Sequence, residues 1–103
     1  MPAIPATCDD VIRSIRQAKR VVITAHARPD GDAVGSVLAA KMLLDQMGAH
    51  AEIVLSDPVP HIYRSLPCSA QIHHRSHAGS GYDTAILLEC DSLERARLAG
   101  LEN

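Results

Sequence analysis

Apolar and polar positions recur with two different periods along this chain, and the period separates predicted helices from predicted strands. Between Val11 and Ala18 the apolar residues recur at helical spacing, after Thr7, whose residue type caps helices. Residues 32–47 present a second, broader apolar face and end before Gly48, a common helix stop. Both stretches are predicted to be helices that cover a sheet.

Three short runs of aliphatic and β-branched residues predict buried strands. They are residues 21–25, 51–55 and 84–88. Residues 58–81 contain one predicted helical turn and are otherwise rich in Ser, His and Gly, so an irregular segment is expected there. Ser92 is predicted to cap a final helix. The alternation of helices and strands indicates an α/β fold, a parallel sheet with helices on both faces.

In such folds ligands bind beyond the carboxyl ends of the strands, and two acidic segments of this chain lie there. Residues 26–32 follow the first predicted strand, and residues 89–91 follow the third. Gly31, between the two aspartates of the first segment, is expected to take a positive φ that lets the loop fold tightly. Asp32 is expected to open the second helix, and Gly35 is expected to let that helix pack closely on the sheet.

The first acidic segment combines ligand types that bind divalent metals. His26 offers an imidazole nitrogen, and Asp30 and Asp32 offer carboxylates, a mixture that suits Mn²⁺, Fe²⁺ or Zn²⁺. Glu89 and Asp91 would point to the same side of a continuing strand, so one of them is expected to bridge two ions, although either could instead cap the last helix. Two neighbouring divalent ions are a common device for the hydrolysis of phosphate esters.

Composition restricts the partners and the location of the chain. The formal net charge is −2 and no basic tract occurs, which excludes binding of nucleic acid by charge alone. The cysteines form no CxxC pair, and neither a leader nor an apolar run long enough to span a membrane occurs, so a cytoplasmic protein is expected. His73, His74 and His77 lack acidic neighbours in sequence and are expected in a solvated loop rather than in a second metal site.

The stretch His-Ala-Arg-Pro-Asp-Gly-Asp-Ala-Val-Gly-Ser, residues 26–36, resembles the first motif of the DHH phosphoesterase superfamily. It is most similar to the branch of bifunctional oligoribonucleases and 3′-phosphoadenosine-5′-phosphate phosphatases, which are called nanoRNases. Residues 87–95 resemble the second motif of that family, with Glu89 at the position where Asp is usual.

This resemblance implies a set of catalytic and metal-binding residues. The four residues that it implies as manganese ligands are His26, Asp30, Asp32 and Glu89. It also implies two Mn²⁺ ions in the complete enzyme, which would hydrolyse short RNA from an end and release phosphate from phosphoadenosine phosphate. Asp91 stays an alternative to Glu89 as the ligand from the second motif.

The family's Asp-His-His segment and its C-terminal substrate-binding domain have no counterpart in these 103 residues. The resemblance therefore implies that residues 1–103 are the N-terminal part of a DHH phosphoesterase domain, with weak metal binding and little catalysis alone. Cyclic-dinucleotide phosphodiesterase and inorganic pyrophosphatase are alternatives within the superfamily. Alternatives of another class are a non-catalytic nucleotide-binding or interaction module, and an inactive remnant that forms a homodimer through an exposed sheet edge.

Overall fold

The computed structural model describes residues 7–89 and 96–101. Its regular elements alternate along the chain as the apolar pattern predicts. In order they are α1 (Cys8–Gln17), β1 (Arg20–Ala25), α2 (Gly31–Gln46), β2 (His50–Leu55), β3 (Ile72–His74) and β4 (Thr84–Leu88). Two short 3₁₀ turns, His61–Tyr63 and Ser69–Gln71, lie between β2 and β3. The predicted final helix begins in residues 90–95, outside the described residues.

The four strands form one parallel sheet in the order β3-β2-β1-β4. The sequence prediction of a parallel α/β sheet is therefore confirmed. Ile23 of β1 pairs with Ile53 of β2, and Ala25 at the end of β1 pairs with Leu88 at the end of β4. Because parallel strands run in the same direction, the loops that follow β1, β2 and β4 emerge at one edge of the sheet, which we call the carboxyl edge.

Two apolar clusters cover the two faces of the sheet. On the first face, Ile23 and Ile53 pack with Val34 and Val37 of α2, and all four side chains are completely buried. α1 contributes Ile15 and Ala18 to the border of this same cluster. On the second face, the sheet is covered by later parts of the chain, and its cluster consists of Val22, Val54, Ala78, Ala96 and Leu98.

Local sequence signals explain where the helices begin and end. Thr7 accepts a hydrogen bond from the Asp10 amide, and the Asp10 carboxylate accepts one from the Thr7 amide, which forms a complete capping box. Gly48, with a φ of 85°, follows the C-cap of α2 and allows the chain to turn into β2. Within the described residues, no helix is long and apolar enough to span a membrane.

Strand β3 corrects the prediction of an irregular segment across residues 58–81. It adds three residues at the sheet edge, and His73 pairs with Val54 of β2. His73 and His74 are exposed, as expected, but they belong to this strand rather than to a loop. A strand of this length is stabilised by pairing with its neighbour, which local sequence does not reveal.

A polar network surrounds Glu52 on the second face of the sheet. Its carboxylate lies 3.1 Å from His50 Nε2 and accepts a hydrogen bond of 3.1 Å from the Tyr82 hydroxyl. His73 Nε2 and an Arg75 guanidinium nitrogen lie 3.8 and 3.9 Å from the same carboxylate. The hydrogen bond with His50 is the main cause that lowers the pKa of Glu52 below its ordinary value of 4.5, against the opposing effect of burial.

The lowered pKa of Glu52 predicts an acid-dependent contribution to stability. Because the folded-state pKa lies below the unfolded one, the contribution is present above 4.5 and is lost as the pH falls through the folded pKa. We expect Glu52→Gln to lower the free energy of unfolding by about 1 kcal/mol at pH 7. Urea unfolding of both proteins across pH 3–7 should show the difference shrinking in acid, and a constant difference would contradict the assignment.

Candidate functional site at the carboxyl edge

The loop between β1 and α2 carries the residues that the sequence singles out. The helix begins at Gly31, one residue earlier than expected, and Asp30 rather than Asp32 is its N-cap. Asp30 Oδ1 accepts a hydrogen bond of 2.9 Å from the Ala33 amide. This bond satisfies one of the unpaired amides of the first helical turn and fixes the orientation of the Asp30 carboxylate.

His26 and Asp30 come together in this loop. His26 Nδ1 lies 2.7 Å from the Ala27 carbonyl oxygen, which is only an acceptor, so Nδ1 carries the proton of the hydrogen bond. In the neutral imidazole the lone pair is then on Nε2, which lies 3.8 Å from Asp30 Oδ1. The His26 side chain is mostly buried, with 17% exposure, whereas Asp30 is 63% exposed. The pair thus brings an oriented nitrogen and a carboxylate oxygen to within 3.8 Å of each other.

Asp32 and Glu89 belong to the same edge of the sheet, but the structure does not bring all four predicted residues into one cluster. Asp32 is exposed in the first turn of α2. Glu89 directly follows Leu88, the pairing partner of Ala25, so Glu89 and His26 leave adjacent strands at the same level. Among residues 7–89 and 96–101, no three His, Cys, Asp or Glu side chains are close enough together to hold a metal ion.

The alternative ligand of the second motif, Asp91, lies outside the described residues, as does the segment that follows it to residue 95. Glu89 itself is exposed and has a φ of 53°, so the extended conformation of β4 ends there. The predicted alternation that would point residues 89 and 91 to the same side therefore does not continue past Leu88.

Two glycine predictions in this region are wrong. The positive φ expected at Gly31 occurs instead at Arg28, with a φ of 54°. Gly31 is the first residue of α2 and does not have a positive φ. Gly35 is exposed, and a Cβ there would meet no atom within 4 Å, so it does not mediate close packing. The buried neighbours Val34 and Val37 turn toward the sheet, and the 100° step per residue carries Gly35 away from it.

Gly31 has a steric role that the sequence does not indicate. A Cβ at this position would lie 3.2 Å from the Tyr63 hydroxyl and 3.3 Å from two atoms of its ring. The ring of Tyr63, in the 3₁₀ turn His61–Tyr63, thus lies against the start of α2. The absence of a side chain at Gly31 allows this contact.

We expect the methyl group of Gly31→Ala to cost about 1 kcal/mol by overpacking Tyr63, which offsets the gain of about 0.4–1 kcal/mol that Gly→Ala gives at a helical position. Chemical denaturation measures the change. The matched control is the same substitution in a Tyr63→Phe background, which removes the nearest atom, the hydroxyl oxygen. Gly31→Ala should be more favourable in the Tyr63→Phe background, and an equal change in both backgrounds would show that the hydroxyl contact is not the cause.

Two residues after β2 belong to the same edge and were not among the predicted site residues. Ile23 pairs with Ile53, so His26 and Ser56, each three residues later, directly follow the ends of adjacent strands. The Ser56 hydroxyl is buried and makes no hydrogen bond within the described part of the chain. Asp57 Oδ2 accepts a hydrogen bond of 2.8 Å from the Arg28 amide. In the sequence, the feature that could have identified Ser56 and Asp57 is their position directly after the predicted strand 51–55.

A cavity of about 380 Å³ lies elsewhere, on the second face of the sheet. It is bordered by the glycine-rich segment 77–83, by Val22 and by Thr84, the first residue of β4. Thr84 lies at the end of β4 opposite to Glu89. This cavity is therefore separate from the His26–Asp30 pair, and we assign the candidate chemistry to the carboxyl edge.

Of three comparisons with known proteins, the one with solved structures gives a match, and it agrees with the fold described above. No family model matches the chain. A search of curated proteins gives no match either. Among solved structures, the chain is similar to an exopolyphosphatase-related protein from Bacteroides fragilis, with a TM-score of 0.72 and 22% sequence identity. The alignment covers 85% of this chain and 28% of that protein's chain.

This likeness defines the class of fold, a parallel α/β sheet with flanking helices. The chain spans little more than a quarter of the length of the solved structure that it matches.

Proposed function

We propose that this chain is part of a metal-dependent phosphoesterase of the DHH superfamily. The observation that carries the proposal is the His26–Asp30 pair, with 3.8 Å between Nε2 and Oδ1, in a loop whose sequence resembles the first DHH motif. The pair lies at the carboxyl edge of a parallel sheet, where such folds bind their ligands. The likeness to an exopolyphosphatase-related protein supports the fold on which the proposal depends.

His26 and Asp30 suit a divalent cation. A metal-ligating histidine commonly donates its other ring proton to a backbone carbonyl, and His26 donates to the Ala27 carbonyl in this way. Two ligands that each lie about 2.1 Å from one ion can be separated by up to about 4 Å, so the observed 3.8 Å is compatible with shared ligation. We extend the ligand set to Asp32 and Glu89, and propose Mn²⁺ as the ion.

The division of labour among these residues follows from their contacts. Bound divalent ions supply the positive charge that stabilises phosphate oxygens and the acidity that activates water. His26 contributes a neutral nitrogen whose tautomer is set by the Ala27 carbonyl. Asp30 contributes negative charge from a carboxylate that the Ala33 amide holds in place. Because the net charge of these 103 residues is −2 and no basic tract occurs in them, this part of the protein depends on the cations to attract an anionic substrate.

The substrates that we propose are short oligoribonucleotides, 3′-phosphoadenosine 5′-phosphate, or both. The test uses the full-length protein with Mn²⁺ and a panel that adds a cyclic dinucleotide, pyrophosphate and polyphosphate. We expect hydrolysis of the first two substrates, loss of activity with a chelator and recovery with Mn²⁺. Cleavage of only the cyclic dinucleotide or the phosphoanhydrides would assign another activity of the superfamily. Absence of all hydrolysis by the full-length protein would refute the enzyme proposal.

The ligand from the second motif is tested by comparing Glu89 with Asp91. We expect Glu89→Gln to lower the hydrolysis rate of the full-length protein by about 100-fold or more, because a metal ligand contributes several kcal/mol to the transition state. Glu89→Asp should retain activity because it keeps the carboxylate, and Asp91→Asn should have little effect. The opposite pattern, in which only Asp91→Asn abolishes hydrolysis, would assign the ligand to Asp91.

A further inference from the structure

One hydrogen bond ties the loop that carries the candidate ligands to the neighbouring strand. The Arg28 amide donates to Asp57 Oδ2 at 2.8 Å, across 29 positions in the sequence. Arg28 follows β1 and Asp57 follows β2, so this contact links two adjacent loops at the carboxyl edge. A hydrogen bond to an ionised carboxylate is among the stronger hydrogen bonds in proteins.

The donor of this bond has an unfavourable backbone conformation. Arg28 has a φ of 54°, in the left-handed region that residues with a Cβ rarely occupy. Such a conformation persists when the surrounding structure holds it in place. The Asp57 carboxylate is the group that binds the Arg28 amide, and it is therefore positioned to hold this conformation.

The conformation of Arg28 affects the candidate ligands directly. Arg28 lies midway between His26 and Asp30, so its backbone dihedrals set the path of the chain from one ligand to the other. The next residue, Pro29, is buried and has a fixed φ, so the Arg28 dihedrals supply an important part of the freedom of this path. If Arg28 moved to an ordinary conformation, the separation of the two ligands would change.

We infer that Asp57 is a positioning residue, which holds Arg28 in the left-handed conformation and thereby sets His26 and Asp30 for cation binding. This inference rests on the proposed function, because it assigns Asp57 a role at the same site. Asp57 acts through the Arg28 amide and needs no contact with the cation or the substrate.

The experiment measures Mn²⁺ affinity of the full-length protein by isothermal titration calorimetry, together with the NMR shift of the Arg28 amide in the metal-free protein. Asp57→Ala should weaken Mn²⁺ binding by about 10- to 100-fold, as expected when a supporting contact of a metal ligand is lost. It should also move the Arg28 amide resonance. Asp57→Asn, which keeps an acceptor oxygen, should bind Mn²⁺ nearly as well as the wild type.

A double substitution separates positioning from a general loss of structure. Glycine adopts the left-handed region without strain, so Arg28→Gly in the Asp57→Ala background should recover part of the lost Mn²⁺ affinity. Circular dichroism on the same samples checks that each variant is folded. A loss of affinity that Arg28→Gly does not relieve would overturn the inference.

The remaining outcomes distinguish this inference from the proposed function. If the wild type binds Mn²⁺ and Asp57→Ala binds it equally well, the positioning role is wrong and the proposed function stands. If Asp57→Asn weakens binding as much as Asp57→Ala while the Arg28 amide keeps its wild-type resonance, the charge of Asp57 acts on the cation without Arg28, and the positioning role is again wrong. If the full-length wild type neither binds Mn²⁺ nor hydrolyses any substrate, the proposed function fails and the inference falls with it.

Discussion

Asp30→Asn is expected to reduce phosphoester hydrolysis by the full-length protein by about 1,000-fold or more and to leave the fold intact. The amide lacks the negative charge that holds a divalent cation, and the loss of several kcal/mol of transition-state stabilisation corresponds to a factor of this size. The fold is expected to survive because Asn caps helices as well as Asp does. Initial rates and a urea unfolding curve on the same preparation measure the two effects.

Asp30→Ala is the matched comparison, because it removes both the charge and the cap. Asp30 Oδ1 accepts the hydrogen bond from the Ala33 amide, and loss of such a cap costs about 1 kcal/mol. Asp30→Ala should therefore be inactive and also less stable, whereas Asp30→Asn should be inactive only. If Asp30→Asn retained substantial activity with Mn²⁺, the carboxylate would not be a ligand and the proposed metal site would be wrong.

The central strands were predictable from sequence because their signal is local. β1 and β2 consist mostly of aliphatic and β-branched residues, and they are buried except for the first residue of each strand and the half-buried Glu52. β3 was not predictable in this way. Its residues, Ile72–His74, carry two exposed histidines, and the strand exists because it pairs with β2, an interaction between segments that are distant in sequence.

The candidate site shows the same division between local and distant interactions. The approach of His26 to Asp30 joins residues four apart, and the motif predicts it. The conformation of the loop between them depends on Asp57, which belongs to another loop 29 residues beyond Arg28. The sequence suggested Gly31 as the residue with positive φ because glycine adopts the left-handed conformation with the least strain. Arg28 has this conformation instead, and a hydrogen bond to Asp57, outside the motif, holds it.

The prediction of Gly35 as a packing residue failed for a related reason. Small residues, alanine and glycine, lie on several sides of α2, so the sequence alone does not decide which face of this helix packs on the sheet. The orientation is decided by the larger side chains, and Val34 and Val37 are completely buried while Gly35 is exposed. The relative size of apolar side chains was therefore a better guide to the buried face than the small residues.

Ile23→Ala is expected to lower the free energy of unfolding by about 2–5 kcal/mol. Ile23 is completely buried in β1, a central strand, where it pairs with Ile53 on one side and Ile86 on the other. Its side chain belongs to the cluster beneath α2, so truncation leaves a cavity that closely packed neighbours cannot fill. The free energy of unfolding of natural domains is typically about 5–15 kcal/mol, so such a loss removes a large fraction of it.

Urea unfolding followed by circular dichroism measures this change, with Ile23→Val as the control that removes a single methyl group. The control should lose only about 0.5–1.5 kcal/mol. Because β1 leads directly to His26, a loosened β1 should also weaken Mn²⁺ binding by the full-length protein. If Ile23→Ala were no less stable than Ile23→Val, the side chain would not be enclosed between the sheet and α2, and the core that supports the candidate site would have to be reassigned.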